Sequence, residues 1–246
     1  MANVRLILGI VALFAAGMLL QALQPLMQPQ AYHHFSDVRS LWLIPNAADV
    51  LSNLFISLSG VACLCWVAQQ RRERALLAPG ILVAGVGLVL TGLGSAFYHW
   101  HPTDARLVWD RLPMTIVFAG ILLCLWSSAT LVRATWFQGA LVVGAALGTV
   151  WFWVFRGSLW PYALLQYGGI FAVLYLVIRK RVLGAQAWRR ILEWYALAKV
   201  FEFFDQGIWV LTGHLVSGHT LKHLASAAAG FAILWLAKNS RFISTR

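Results

Sequence analysis

The sequence predicts an all-α fold, a polytopic transmembrane helical bundle with a seven-helix core and one extra N-terminal helix. Of its 246 residues, 61% are hydrophobic and only 11% are charged, whereas soluble proteins carry about 25% charged residues. The apolar residues form eight runs of about 20 residues, the length that a helix needs to cross a bilayer. This composition excludes a disordered chain, a soluble enzyme with one buried core and a disulfide-stapled secreted module.

Each apolar run is expected to form one transmembrane helix. The first run is rich in Leu and Ala, is long for a signal peptide and lacks a clear cleavage site, so we expect a retained helix. Glycines in the third run predict close helix packing rather than a nucleotide loop. The eight expected spans are Val4–Leu23, Ala47–Ala68, Pro79–Tyr98, Leu112–Leu131, Phe137–Phe155, Pro161–Ile178, Ile191–Thr212 and His219–Ala237.

The runs also divide the chain into three parts. We predict an extra transmembrane helix in residues 1–30, a seven-helix membrane domain in residues 31–240 and a cytoplasmic tail in residues 241–246.

The basic residues predict how the chain is oriented. The net charge of +11 does not indicate nucleic-acid binding, because the Lys and Arg residues stand in short clusters between apolar runs. Eight spans place both termini on one side, and the loops and ends of that side carry 13 basic residues against four on the other. We therefore expect a multi-pass protein of the inner (plasma) membrane with both termini cytoplasmic.

Ionisable residues from separate helices come to one depth on the outer side. Ser95 and His99 end the third span, and His219 and His223 open the eighth. Ionisable groups within spans are costly and usually face a bundle interior or a cavity. On this side lie six of the eight acidic residues: Asp37, Asp49, Asp104, Asp110, Glu202 and Asp205.

The histidines predict a metal site. His219 and His223 lie four residues apart and therefore share one helix face, and His99 comes from another helix. Three histidines with one open position are typical of catalytic zinc, which lowers the pKa of its bound water to about 7. Asp110 is then the candidate base for that water, and Ser95 the candidate hydrogen-bond donor.

Other interpretations of these polar residues stay open. The histidines alone are also compatible with hydrogen bonds between helices or with haem ligation, and Lys222 with a chromophore Schiff base. Lys199 and Glu202 indicate either an intramembrane ion pair or, with Asp205, support for the histidines. Arg111 is expected to anchor at the membrane interface, and less readily to contact an anionic headgroup. We expect exposed loop histidines at positions 33, 34, 101 and 214.

Three segments together resemble the alkaline ceramidases, a family of the CREST superfamily of membrane hydrolases. They are Gly94-Ser95-Ala96-Phe97-Tyr98-His99, Asp110-Arg111-Leu112-Pro113-Met114 and His219-Thr220-Leu221-Lys222-His223, and the Ser52-Asn53 pair is similar as well. The short basic linkers are similar to those of prokaryotic members. The resemblance covers about residues 42–240.

This resemblance implies a seven-helix core that holds Zn²⁺ through His99, His219 and His223, with Ser95 and Asp110 assisting a metal-bound water. The implied reaction is cleavage of the amide bond of ceramide or a related lipid amide that enters from the bilayer. The alternatives are a receptor-like or regulatory protein with structural zinc and a haem- or chromophore-binding protein.

The sequence departs from the family in two places. Arg111 stands where the family usually has an acid. In the stretch that matches the calcium site of eukaryotic members, only Asp37, Asn46 and nearby Asp49 are suitable ligands, too few for us to predict a calcium site.

Overall fold

The structure, a computed structural model, describes residues 2–70 and 75–239. Within these ranges the chain forms nine α-helices and one short 3-10 turn, Gln30–His33. The expected tail at residues 241–246 lies outside the described residues. The helices are α1 (Ala2–Leu23), α2 (Ala47–Ala68), α3 (Ala78–Trp100), α4 (Asp104–Thr130), α5 (Trp136–Arg156), α6 (Trp160–Ile178), α7 (Ala185–Phe203), α8 (Asp205–Leu211) and α9 (Gly218–Asn239).

Seven of the described helices, α1 to α6 and α9, are long and apolar enough to cross a membrane. This indicates a multi-pass membrane protein and confirms the all-helical fold class. The prediction of one continuous span over residues 191–212 is wrong. That stretch belongs to two helices that meet at Phe204, and α7 carries five charged residues, so it does not have the composition of an ordinary span.

Seven of the nine described helices form a closed ring, α1 lies outside it, and the short α8 packs against α7 and α9. Around the ring, α2 packs against α3, α3 against α4, and α4 against α5 and α6. The ring closes where α6 packs against α7, α7 against α9, and α9 against α2. Helix α1 packs only on the outer surface of α5 and α6, where 6% of its most apolar segment is buried. The core therefore has the predicted seven-plus-one arrangement.

Close packing of α3 against its neighbours depends on small residues. A Cβ added at Gly92 would collide with Ser57 of α2, and one added at Gly94 with the main-chain carbonyl of Trp109 in α4. Because Pro113 has no N–H, the Trp109 carbonyl lacks its usual helical donor. The α3 backbone can therefore lie directly against the Trp109 carbonyl. This contact fixes the position of α3, the helix that carries Ser95 and His99.

The two ends of the ring differ in polarity. Large apolar side chains fill one end, where Trp66, Leu77, Trp188 and Leu236 belong to one buried cluster. The other end contains the carboxyl end of α3, the first turns of α4 and the amino end of α9. Thr103 caps α4 there by accepting a hydrogen bond from the backbone N–H of Arg106 at 3.3 Å. The buried ionisable side chains collect at this polar end.

Candidate metal centre and adjoining cavity

His99 of α3 meets His219 and His223 of α9 inside the bundle. All three side chains are buried, and each offers one ring nitrogen so that the three nitrogens lie within 4.8 Å of one another. The ring centroids are 4.8 to 4.9 Å apart in every pair. Among the described residues this group could hold a metal ion, as the sequence predicts.

The tautomer of His223 suits metal binding. Its Nδ1 lies 2.8 Å from the hydroxyl of Ser52, and that hydroxyl donates to the main-chain carbonyl of Asp49 at 3.1 Å. Ser52 therefore accepts the proton of Nδ1, which leaves the lone pair on Nε2. This Nε2 is buried and has no hydrogen-bond partner among the described residues. Such an outer hydrogen bond orients a ligating imidazole and raises its basicity.

A chain of charged groups reaches His219 from α7. Lys199 donates to Glu202 at 2.6 Å, and Lys222 donates to the other oxygen of Glu202 at 3.0 Å. Lys222 Nζ also lies 3.3 Å from His219 Nε2. The predicted ion pair of Lys199 and Glu202 is therefore present, and Lys222 connects it to His219.

Outer segments cover and position the histidines. The ring of Phe35 lies 4.6 Å from that of His99 and 4.4 Å from that of His219, measured between centroids. Asp205 accepts hydrogen bonds from the backbone N–H groups of His219 at 2.7 Å and Ser36 at 3.0 Å. Asp205 therefore supports the first turn of α9 rather than an imidazole ring.

A cavity of about 360 Å³ adjoins His223, within the range of roughly 300–1,000 Å³ that ligand sites occupy. Ser95 and Asp110 line it, and both are buried. Most of the remaining wall is apolar. The structure thus brings the predicted pair to the same cavity as His223.

Two predicted exposures are wrong. Arg111 does not anchor at a surface: it is 7% exposed and lines the cavity. His33 is not a free loop histidine, because it lies 2.9 Å from the hydroxyl of Tyr98 and 3.0 Å from Asp104, with a side chain only 10% exposed.

The three candidate calcium ligands have different partners. Asp37 is buried and bound by Arg39 at 2.7 and 2.8 Å. Burial alone would raise the pKa of Asp37, but the hydrogen bonds and charge of Arg39 outweigh it and hold that pKa below its ordinary value. Asn46 donates to the main-chain carbonyl of His99 at 2.8 Å, and Asp49 accepts from Thr220 at 2.7 Å. These contacts give a calcium site no support.

Several contacts at the site were not predicted from the sequence. No sequence pattern marks Phe35 or Thr220 as part of a site, because aromatic residues in loops and threonines in helices are common in proteins. Ser52 is visible only through the family resemblance. Lys222 has a detectable signal, because it directly precedes a predicted metal ligand.

Comparison with known proteins adds no assignment. No protein-family model matches the chain, and no curated protein matches it.

Proposed function

We propose that the chain is a zinc-dependent intramembrane hydrolase that cleaves the amide bond of ceramide or a related lipid amide. The observation that carries this proposal is the juxtaposition of a buried group of three histidines, through His223, with a cavity that Ser95 and Asp110 line. The resemblance to alkaline ceramidases supports the same reaction.

The donor set fits zinc. Three imidazoles with no fourth protein ligand are typical of catalytic rather than structural zinc sites. The lone pair on Nε2 of buried His223 has no hydrogen-bond partner among the described residues, and a metal ion would supply the partner that a buried polar atom requires. A zinc ion held by His99, His219 and His223 would polarise the substrate carbonyl and lower the pKa of the hydrolytic water.

The chain's own residues supply the proton transfers. Asp110 accepts a proton from the attacking water and passes it to the leaving nitrogen as the carbon–nitrogen bond breaks. Ser95, which lines the same cavity, orients the Asp110 carboxylate by donating a hydrogen bond to it. Apolar side chains farther along the cavity, among them Leu88, Val117 and Ile233, accept the acyl chain.

Helix α7 still runs from Trp188 at the apolar end of the ring to Glu202 near the histidines, so the predicted order of sides is kept although α7 is too charged to be an ordinary span. The excess of basic residues on one side then supports a location in the inner membrane with both termini cytoplasmic. The histidines then lie near the outer face, and the substrate enters from the bilayer, because an acyl chain requires no aqueous route.

Turnover of a panel of lipid amides and esters by the purified protein tests the proposal. We expect His219→Ala to lose both zinc and activity. Asp110→Asn should keep zinc and lose activity by about 100-fold or more. Zinc-loaded wild-type protein without turnover would refute the hydrolase and favour the receptor-like alternative. A coloured protein would favour the haem or chromophore alternative.

A further inference from the structure

Arg111 is a buried cation with an unused hydrogen-bonding edge. Its Nη2 donates to the side-chain oxygen of Gln28 at 2.6 Å. Its Nη1 is buried and has no hydrogen-bond partner within the described ranges, and no salt bridge of the described residues involves it. A charge taken out of water usually requires a charged or hydrogen-bonded partner. The unpaired edge of Arg111 therefore points to a ligand.

Aromatic rings hold the guanidinium in place. Its central carbon lies 5.4 Å from the ring centre of Tyr32, 4.7 Å from that of Trp153 and 5.3 Å from that of Tyr162. The three residues come from the first outer loop, α5 and α6. Cation–π contacts favour a cation at this position, but they do not neutralise its charge, so an anion can still bind there.

The charged residues of the cavity leave an excess of positive charge, because Arg111, Lys199 and Lys222 face only the two acids Asp110 and Glu202. Lys199 and Lys222 both pair with Glu202. Asp110, the other acid, forms no salt bridge with a described residue. Arg111 is thus the cavity cation, among the described residues, that has no ion pair.

We propose that the cavity takes an anionic lipid, with its carboxylate or phosphate bound by Arg111 and its acyl chain along the apolar wall. A guanidinium presents paired N–H donors that match carboxylate and phosphate oxygens. Resting on the proposed function, this assigns the substrate class: a fatty-acyl amide whose amine part carries an anion, such as an N-acyl amino acid, rather than a neutral ceramide.

Binding by the purified full-length protein in neutral-lipid nanodiscs tests this assignment. The probes are tetradecanoic acid, tetradecyl phosphate, tetradecanol and inorganic phosphate. We expect the two anionic amphiphiles to bind roughly 10- to 100-fold more tightly than the alcohol, and inorganic phosphate to bind weakly. Arg111→Met should remove that preference and leave the affinity for the alcohol unchanged.

Arg106→Met is the matched control. Arg106 lies five residues earlier on α4, also packs on an aromatic ring, Phe97, and does not line the cavity. It should keep the preference. If Arg111→Met does not fold, Arg111→Lys replaces it; we expect a partial loss of the preference, because lysine keeps the charge without the planar fork.

Three results would overturn the assignment. They are equal binding of acid and alcohol by the wild type, an undiminished preference in the Arg111 variant, and inorganic phosphate binding as tightly as tetradecyl phosphate. Lys222→Met provides a further check, because loss of the preference there instead of at Arg111 would also contradict the proposal. Binding is measured without turnover, so a protein that prefers anions but hydrolyses nothing refutes the proposed function alone.

A matched pair of amides adds the kinetic measurement. N-tetradecanoylglycine and its neutral glycinamide analogue contain the same scissile bond. We expect kcat/KM to favour the acid in the wild type, and Arg111→Met to lower kcat/KM for the acid alone. Equal kcat/KM for both amides in an active wild type would refute the substrate class while leaving the hydrolase intact.

Discussion

Removal of the Ser52 hydroxyl should weaken metal binding without touching a metal ligand. Ser52 is 6% exposed, and its hydroxyl holds Nδ1 of His223 at 2.8 Å. In Ser52→Ala the imidazole loses the acceptor that fixes its tautomer and orientation. Loss of such a partner weakens metal affinity by about 10- to 100-fold, or about 1.4–2.7 kcal/mol of binding free energy.

Ser59→Ala is a closely matched control. Ser59 lies two turns later on the same face of α2, is buried, and donates to the main-chain carbonyl three residues before it, as Ser52 does. It has no histidine partner, so we expect a similar change in stability and an unchanged zinc affinity. Zinc competition against a fluorescent chelator measures both variants. Equal zinc affinities for the two variants would refute the inferred role of Ser52.

Two further predictions concern packing and pH. Gly94→Ala places a Cβ against the Trp109 carbonyl and should lower Tm by about 2–12 °C through overpacking. The control Gly144→Ala has open space around the added Cβ and should not lower Tm. Equal Tm changes in the two variants would contradict the close α3–α4 contact. The pKa of Asp37 is depressed in the folded state. The Asp37 carboxylate therefore adds to the free energy of unfolding above the unfolded pKa of about 3.9, and this contribution is lost as the pH falls through the folded pKa. Arg39→Met should therefore lower Tm at neutral pH by an amount that shrinks in acid; a pH-independent difference would contradict this.

The sequence alone predicts most of the fold because bilayer-spanning helices need only length and apolar composition. It also predicts the group of three histidines that could hold a metal ion, since the spacing of His219 and His223 places both on one helix face, and His99 ends another span on the same side. These inferences depend on local spacing and on the topology of short loops.

The contacts that the sequence does not reveal join distant segments. The helix is interrupted at Phe204, next to Asp205. The Asp205 carboxylate accepts hydrogen bonds from the backbone N–H groups of Ser36 and His219, and no local sequence pattern predicts these two partners. From the sequence, Arg111 has the position of an interface anchor at the end of a span. The aromatic rings that surround it in the structure come from three separate segments, so the sequence does not reveal them. The burial of Arg111 depends on how those segments pack.

Metal content per chain tests the central claim most directly. Elemental analysis of protein purified without chelator should find about one zinc per chain in the wild type and none in a His219→Ala, His223→Ala double variant. A double variant of the exposed His101 and His214 serves as control and should retain zinc. Folded wild-type protein without zinc, or zinc retained after loss of His219 and His223, would contradict the account.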